Sequence, residues 1–324
     1  MRMNKWWIRR SALAWFSAGV GILAGAASGA QAASGPEFGV RAGPGCQGRK
    51  ELPRFESFAG RKVDRVVDAL NQRDWASLDS SIAWASKCWA GAPVKLTLSV
   101  PMLVESGGGT LADGAAGKFD RIFLKTAKTL VANGQSRAII RIGWEFNGNW
   151  MPWAAAKDPK NFIAYYRRIV RLMRSVPGEN FKFEWTPGVG RQSFPPDQGY
   201  PGDDVVDVIG MDIYNEYWSP ALANNRVRFA WYMNQPYGLR WHRQFAAEHG
   251  KPMAYSEWGS GTRTDGHGAG DDPHFFEQMG KWFAENNVLY QSYWETAGYQ
   301  YDDRVSRGKH PEAAEAYRRF VANR

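Results

Sequence analysis

The chain has 324 residues, of which 14% are aromatic and 16 are tryptophan, and its formal net charge is +9. This length is enough for one large domain with a sizeable hydrophobic core. The basic residues form no Lys/Arg block and no apolar run is long enough to span a bilayer. The composition therefore argues against a nucleic-acid-binding protein and against a membrane span in the mature chain.

The N-terminus is typical of an export signal. Four basic residues within residues 1–10 precede a small, apolar stretch over residues 11–27, and Ala30-Gln31-Ala32 matches an A-x-A cleavage sequence. We predict a signal peptide over residues 1–32, general secretion rather than twin-arginine export, and a secreted or periplasmic mature domain over residues 33–324. Removing four basic residues and no acidic residue lowers the formal charge from +9 to +5.

Two cysteines, Cys46 and Cys88, lie in the predicted mature part. An even number of cysteines in an exported chain suggests one disulfide. Neither cysteine has a metal-binding spacing, and the five histidines are scattered. One of them, His267, lies in a Gly-rich loop with several aspartates, but we predict no metal ion and no cofactor.

The hydrophobic pattern predicts strands and helices that alternate along the mature chain. Gly107–Gly109 is predicted to be a flexible loop with no helix opening after it, and residues 63–70 fit a strand or a helix equally. Strands are predicted over residues 38–40, 94–100, 138–142, 181–185, 205–214, 252–258 and 288–294. Helices are predicted over part of 75–89 and over 119–130, 159–173, 240–249, 275–286 and 311–321. This order favours an α/β fold, a single (β/α)8 TIM barrel, over a doubly wound open sheet.

The most informative stretch is residues 137–153, RAIIRIGWEFNGNWMPW. Side chains alternate along a strand, so Arg141, Gly143 and Glu145 share one side. A charged pair at the end of an apolar strand indicates either a structural ion pair or a catalytic carboxylate at a barrel mouth. The tryptophans that follow favour the catalytic interpretation, with Arg141 as a supporting residue.

A second carboxylate, Glu257, ends the strand over residues 252–258. Met253, Tyr255 and Glu257 are expected on one face, so that Glu257 points into the barrel mouth. Retaining glycoside hydrolysis needs two carboxyls about 5–5.5 Å apart. Other carboxylates near strand ends are more typical of loop-bracing or solvated groups; these are Glu105, Glu184, Asp212 and Glu295.

Several further side chains are candidates for substrate binding. Indole rings offer flat faces that can stack on sugars, although the same faces also make good core. Asn147 is expected to bind a sugar hydroxyl or to fix its loop, and Asp212 to bind a sugar or to brace a loop. The candidate stacking rings are Trp150, Trp153, Trp185 and Trp294, with Trp294 favoured next to the cleaved bond; Trp218 and Trp258 could line outer subsites.

Three blocks give the chain a resemblance to glycoside hydrolase family 26, the β-mannanases and related β-glycanases. They are residues 144–153 (WEFNGNWMPW), 209–214 (IGMDIY) and 256–259 (SEWG). The resemblance implies a (β/α)8 barrel and a retaining mechanism. It also implies that Glu145 is the acid/base at the end of the fourth strand, that Glu257 is the nucleophile at the end of the seventh, and that Tyr214 points at the nucleophile.

One position departs from the family pattern. Trp144 stands where the family usually has a histidine that shapes the sugar site beside the cleaved bond, so we expect Trp144 to line that site. The departure leaves β-1,4-mannan, a β-glucan and a bacterial exopolysaccharide open as substrates.

The sequence therefore predicts a monomeric, secreted, retaining endo-β-glycanase whose only partner is its polysaccharide. The alternatives are an exopolysaccharide-processing glycosidase or transglycosylase, and a non-catalytic carbohydrate-binding barrel. The presence of both Glu145 and Glu257 argues against the non-catalytic alternative.

Overall fold

Eight parallel strands close into a barrel in the computed structural model, which describes residues 35–322. Each strand pairs with the next one along the chain, and the last strand pairs with the first, which closes the ring. The predicted (β/α)8 fold is confirmed, whereas the predicted signal over residues 1–32 lies outside the described residues. The strands are β1 (Glu37–Arg41), β2 (Arg65–Ala69), β3 (Lys95–Val100), β4 (Ile139–Ile142), β5 (Lys182–Trp185), β6 (Val208–Gly210), β7 (Met253–Gly259) and β8 (Val288–Trp294).

Helices connect the strands and cover the outside of the barrel. The connection from β5 to β6 differs, because in the described chain it contains only a single 3₁₀ turn, Pro196–Gly199. None of the helices within residues 35–322 has the length and apolar character that crossing a bilayer requires. The helices are α1 (Gly45–Ala59), α2 (Trp75–Trp89), α3 (Leu111–Ala115), α4 (Asp120–Ala132), α5 (Pro159–Arg174), α6 (Asn225–Asn234), α7 (Leu239–Glu248), α8 (Pro273–Glu285) and α9 (Pro311–Ala322).

Helix α1 was not anticipated because its sequence contains helix-breaking residues. Pro53 lies inside it, and Gly48 lies in its first turn. A Cβ on Gly48 would come within 2.2 Å of the Gly43 carbonyl oxygen, so glycine is required there by close backbone approach rather than by a turn. Tertiary packing therefore overrides local propensity in this segment.

The prediction that no helix opens after Gly107–Gly109 was wrong. Thr110 caps the short helix α3: its hydroxyl accepts a hydrogen bond from the Asp113 amide, and the Asp113 carboxylate accepts one from the Thr110 amide. Such a capping box satisfies two amide groups that would otherwise lack partners at a helix start. The three glycines themselves lie in a loop, as predicted, and all three have positive φ angles.

The sixth strand is interrupted where the sequence predicts one continuous strand over residues 205–214. After Gly210 the chain leaves the ladder, and Asp212 bridges to Gly188 in the loop that follows β5. Pairing with β7 resumes at Ile213–Tyr214. This change of partner brings the Asp212 side chain to the mouth of the barrel.

The hydrophobic core has two parts. The larger part lies between the strands and the surrounding helices. A small apolar cluster fills the lower barrel interior, and it consists of Val67, Ile139, Val208, Ala254 and Tyr290. Toward the C-terminal ends of the strands the interior becomes polar, beginning with Arg141 and Glu184. The apolar filling thus ends where the candidate site begins.

A disulfide joins Cys46 of α1 to Cys88 of α2 across a sequence separation of 42 residues. Closing a loop of this length restricts the unfolded chain. We expect the double variant Cys46→Ser/Cys88→Ser to lose about 4 kcal/mol of unfolding free energy. Urea unfolding followed by tryptophan fluorescence measures the loss, with the reduced wild-type protein as the control. Equal unfolding midpoints for the variant and the oxidised protein would contradict the expectation.

Candidate active site

Glu145 lies on a tight turn immediately after β4. Gly143 and Glu145 both have positive φ angles, +53° and +51°, and a Cβ on Gly143 would lie 2.3 Å from the Met102 sulfur. Positive φ is costly for a residue with a side chain and is often found at functional sites. The Glu145 amide donates to the Thr186 carbonyl oxygen at 2.8 Å, which ties the turn to the end of β5.

The Glu145 carboxyl is only partly buried. The Trp150 indole Nε1 donates a hydrogen bond to its Oε2 at 2.8 Å. Burial, followed by the negative charge of Glu257, raises the pKa of Glu145 to about 7, while the bond from Trp150 and the charge of Arg141 oppose the rise. A carboxyl with this pKa can hold a proton at neutral pH and release it during a reaction.

Glu257 points into the barrel, but not for the reason that the sequence predicts. Met253 and Tyr255, expected on the same face as Glu257, pack outside the barrel against the helices. Ser256 instead points inward, where its hydroxyl donates to Glu184. Ser256 and Glu257 therefore both face the interior, and the predicted alternation was wrong at this point.

A β-bulge explains the two consecutive inward side chains. Opposite β8, Tyr255 pairs with Gln291 and Trp258 pairs with Tyr293, so β7 uses one more residue than its partner over this interval. A bulge re-aims side chains and is frequent next to active sites. Here it directs Glu257 into the mouth and leaves the Trp258 ring in the outer core.

Arg141 holds the Glu257 carboxylate. Its Nη1 donates to Glu257 Oε1 at 2.6 Å and to the Ser99 hydroxyl at 3.1 Å, and its Nη2 contacts Asp212 Oδ2. Glu184 Oε1 lies 4.0 Å from the third nitrogen, Nε. The ion pair predicted for Arg141 is present, and the guanidinium is fully buried.

The charges around Arg141 are unequal, because one cation faces three carboxyl groups. Burial opposes the charge of Arg141, but Asp212, Glu257 and Glu184 raise its pKa above the ordinary value. Burial also raises the pKa of Asp212 well above its usual range, despite the attraction of Arg141. The cluster therefore keeps a firmly charged arginine and favours the protonated form of Asp212.

Tyr214 makes the second contact to Glu257. Its hydroxyl donates to Glu257 Oε2 at 2.8 Å. Burial and the nearby negative charge of Glu257 raise the pKa of Tyr214 well above its usual value, so the phenol keeps its proton. Both carboxylate oxygens of Glu257 thus accept hydrogen bonds, one from a cation and one from a neutral phenol.

Three of the predicted aromatic residues surround this pair. Trp150 exposes 52% of its surface beside Glu145. Trp294, at the end of β8, is partly exposed and lies edge-on to Tyr214 with 6.4 Å between the ring centroids. Trp144 is 7% exposed and lies 5.3 Å from the Arg141 guanidinium. Trp150 and Trp294 therefore keep ring surface open at the barrel mouth, whereas Trp144 is nearly buried and packs against Trp153.

Three of the predicted substrate-binding residues are corrected by the structure. Trp153 and Trp185 are fully buried, and their indole nitrogens donate to the carbonyl oxygens of Trp144 and Gly199, so both rings belong to the core. Asn147 is also fully buried. Its amide bonds only to backbone groups, those of Gly188 and Gly190, so it fixes the loop after β5.

Sequence reasoning missed the residues that hold Trp294. The Arg41 guanidinium lies 4.9 Å from the Trp294 ring centroid, and its Nη1 donates to Asp68 Oδ1 at 3.0 Å. The other oxygen, Asp68 Oδ2, accepts from the Trp89 indole at 2.7 Å. The available signal was that Arg41 and Asp68 both fall near the ends of barrel strands.

Within residues 35–322 no cluster of three or more His, Cys, Asp or Glu side chains is arranged to hold a metal ion. Glu295, weighed as a competing carboxylate, bonds to the Ser306 hydroxyl and amide and so braces its own loop. Burial raises the pKa of Glu295 to about 7. Glu145 and Glu257 are close enough for the charge of Glu257 to raise the pKa of Glu145.

The sequence profile described as "Glycosyl hydrolase family 26" matches residues 109–232. A mannan endo-1,4-beta-mannosidase of Bifidobacterium adolescentis is 30% identical over 200 residues, covering 56% of this chain and 20% of that protein. Endoglucanase H of Acetivibrio thermocellus is 25% identical over 227 residues, covering 64% of this chain and 22% of that protein. The chain thus spans about a fifth of the length of these two relatives.

Solved structures are similar over most of the chain. An endo-beta-1,4-mannanase double mutant of Cellulomonas fimi superposes with a TM-score of 0.62 at 20% identity, covering 89% of this chain and 71% of that one. A mannanase of Bacillus subtilis gives a TM-score of 0.59 at 17% identity, covering 86% and 84%. At these identities the likeness establishes the fold alone.

The structure places one acid just after β4 and another near the end of β7, at the barrel face that carries the active site in (β/α)8 enzymes. The resemblance to glycoside hydrolase family 26 is confirmed by the profile match over residues 109–232 and by the similarity to the mannosidase of Bifidobacterium adolescentis.

Proposed function

We propose that this chain is a retaining endo-β-glycanase in which Glu145 is the acid/base and Glu257 the nucleophile. The observation that carries the proposal is that the two acids lie in different electrostatic environments. Arg141 and Tyr214 each donate a hydrogen bond to one oxygen of Glu257, an arrangement that favours the negatively charged carboxylate. Burial and the charge of Glu257 favour the protonated form of Glu145. Two carboxyls in opposite protonation states are what retaining hydrolysis requires.

The first step of the proposed reaction breaks the glycosidic bond. An oxygen of Glu257 attacks the anomeric carbon, while the Glu145 proton moves to the leaving oxygen, so that the first product departs as an alcohol. The sugar is then bound to Glu257 as an ester. Loss of the leaving group and its proton leaves Glu145 ionised, which is the form needed in the second step.

The second step releases the enzyme. Glu145 takes a proton from a water molecule, whose oxygen attacks the anomeric carbon and displaces the Glu257 carboxylate. Two inversions at the same carbon restore the β configuration. The oxygen of Glu257 that leaves is stabilised as an anion by Arg141 or Tyr214, depending on which oxygen formed the ester.

We further propose a β-linked polysaccharide as the substrate, either β-1,4-mannan or a β-glucan. The two relatives support this choice, since one is described as a mannosidase acting on mannan and the other as an endoglucanase. Trp144 lies beside Arg141 and close to the reacting pair, so we expect it to shape the sugar site and to contribute to the choice of polymer.

The test is the release of reducing ends by the protein from β-mannan, glucomannan, mixed-linkage β-glucan and acidic bacterial exopolysaccharides. Release from any of them that disappears in Glu257→Ala supports the proposal, and the polymer cut fastest names the substrate class. If no polymer is cut, binding titration with the same panel decides between a non-catalytic binding barrel and a substrate outside the panel.

We propose that the protein acts outside the cytoplasm. The disulfide between Cys46 and Cys88 supports this location, because such bonds persist in oxidising compartments. N-terminal sequencing of protein recovered from the periplasm and from the medium tests the proposal. A mature N-terminus at Ala33 supports it, whereas an intact N-terminus found only in the cytoplasm argues against it.

The proposed role of Glu145 predicts a pH dependence. The free enzyme must hold Glu145 protonated, and its pKa is raised to about 7, so kcat/KM should fall as the pH rises through about 7. Trp150 donates to the carboxylate and lowers that pKa. Trp150→Phe removes the donor and keeps an aromatic ring, so the pKa of Glu145 should rise. The alkaline limb of the profile of kcat/KM against pH should then move to higher pH.

The control for this shift is Trp231→Phe, which changes an exposed tryptophan on the outer helix α6. It should leave the profile of kcat/KM against pH unchanged. An alkaline limb that stays in place, or moves to lower pH, in Trp150→Phe would argue that another group controls it.

A further inference from the structure

Trp218 is an exposed ring on the loop that follows Ile213–Tyr214. It leaves 65% of its surface accessible, the largest exposed fraction among the described tryptophans. Exposing so much apolar surface brings no gain in stability. A single exposed ring needs no special explanation by itself, but this one is held in a fixed position by its neighbours.

His267 supports one face of the ring. The two rings stack with 3.9 Å between centroids and an angle of 28° between their planes. His267 is itself fixed, because its Nδ1 lies 2.9 Å from the Tyr217 carbonyl oxygen and its own carbonyl oxygen accepts from the Tyr217 amide. Since one face is covered and two thirds of the surface stays accessible, the opposite face is open to solvent.

Arg263 provides the second support. Its guanidinium lies 5.4 Å from the Trp218 ring centroid and also binds two carboxylates, Glu216 at 3.0 Å and Asp265 at 2.6 Å. These contacts join the loop after β6 to the loop after β7. The indole is therefore preorganised, which lowers the entropy cost of binding a ligand to it.

The position of Trp218 connects it with the catalytic mouth. Asp212, Tyr214 and Glu216 follow one another at alternate positions, and Tyr214 contacts Glu257. Glu216 is close enough for its charge to influence the Glu145 carboxyl. Trp218 lies two residues further along the same loop, on the C-terminal side of the barrel where the substrate must enter.

We propose that Trp218 is the stacking platform of an outer subsite that binds one pyranose ring of the polysaccharide chain, some distance from the cleaved bond. The inference rests on the proposed function. The apolar face of a pyranose matches the open indole face, and the sugar hydroxyls at its edge can reach water and the polar groups of the two loops. The platform binds substrate and transition state equally, because it lies away from the reacting carbon.

The test compares Trp218→Ala and Trp218→Phe with the wild type on oligosaccharides of increasing length cut from the polymer that the enzyme degrades. For chains long enough to reach the platform, KM should rise about five- to tenfold in Trp218→Ala while kcat stays the same. Trp218→Phe should retain most of the affinity. The shortest substrates should be cut equally well by all three proteins.

The matched control is Trp84→Ala. Trp84 is 45% exposed on α2, which connects β2 and β3 on the side of the barrel opposite to β6 and β7. Its removal should change neither KM nor kcat at any chain length. Thermal unfolding of every variant checks that the fold is retained. Equal KM values for Trp218→Ala and wild type on the longest chains would overturn the platform.

A binding assay separates this inference from the proposed function. Retardation in native gels that contain each polysaccharide reports binding without catalysis. If the wild type cuts no polymer but is retarded, and Trp218→Ala is not retarded, the sugar-binding role of Trp218 is supported and the hydrolase proposal fails. If the wild type cuts a polymer and both proteins are retarded equally, the platform alone is overturned. A wild type that neither cuts nor binds overturns both.

Discussion

Replacing Glu257 by alanine is expected to lower kcat by roughly 10⁴-fold or more, which is the scale on which removing a catalytic nucleophile acts. The loss follows from the geometry, because Arg141 and Tyr214 both direct their hydrogen bonds to this carboxylate. The measurement is the hydrolysis of an activated aryl β-glycoside at pH 6, where Glu145 is still largely protonated. Circular dichroism confirms that the variant is folded.

Azide distinguishes the two acids by stereochemistry. In Glu257→Ala the small anion can occupy the vacated space and attack the anomeric carbon once, which inverts it and yields an α-glycosyl azide. In Glu145→Ala the Glu257 ester still forms, and azide displaces it to give a β-glycosyl azide. Glu257→Gln, which leaves no space, is the control and should not be rescued. A β-azide from Glu257→Ala would assign the nucleophile to another residue.

Most strands of the barrel were evident from the sequence as short β-branched or aromatic runs, whereas residues 63–70, which contain β2, fitted a strand or a helix equally. Strand β8 has the predicted bounds, and β7 and β5 differ by one residue at one or both ends. The bulge in β7 was not predictable from alternation. An extra residue leaves no mark in the sequence, and only the pairing with β8 reveals that Ser256 and Glu257 both point inward.

The roles of the aromatic and amide side chains were harder to predict than their presence. Trp150 and Trp185 look alike in the sequence, since each follows or ends a strand near a carboxylate. One lies exposed at the mouth, and the other is fully buried between barrel and helices. Trp185 is buried because side chains alternate along β5: Glu184 faces the barrel interior, so its neighbour Trp185 faces the surrounding helices. Asn147 differs for another reason: its amide group donates a hydrogen bond to the Gly188 carbonyl oxygen and accepts one from the Gly188 amide, so it is used up in holding the loop.

The Arg141→Met variant is expected to lose about 3–5 kcal/mol of unfolding free energy at neutral pH. Methionine fills a similar volume but leaves Glu257, Asp212 and Glu184 buried without a cation. Urea unfolding monitored by fluorescence measures the loss. The matched control is Arg167→Met, which breaks a more exposed pair with Asp204 and should cost at most about 1 kcal/mol.

The pH dependence of this loss has a definite sign. Without Arg141, burial raises the pKa values of the remaining acids in the folded protein, so the native state binds more protons than the unfolded state. The loss of unfolding free energy in Arg141→Met should therefore be greatest above neutral pH. It should shrink as the pH falls and the acids become protonated. Adding Asp212→Asn, which removes one buried acid, should recover part of the stability at pH 7. If Arg141→Met matched the wild type at every pH, the acids would already be neutral in the native protein, and the ionised state proposed for Glu257 would have no support.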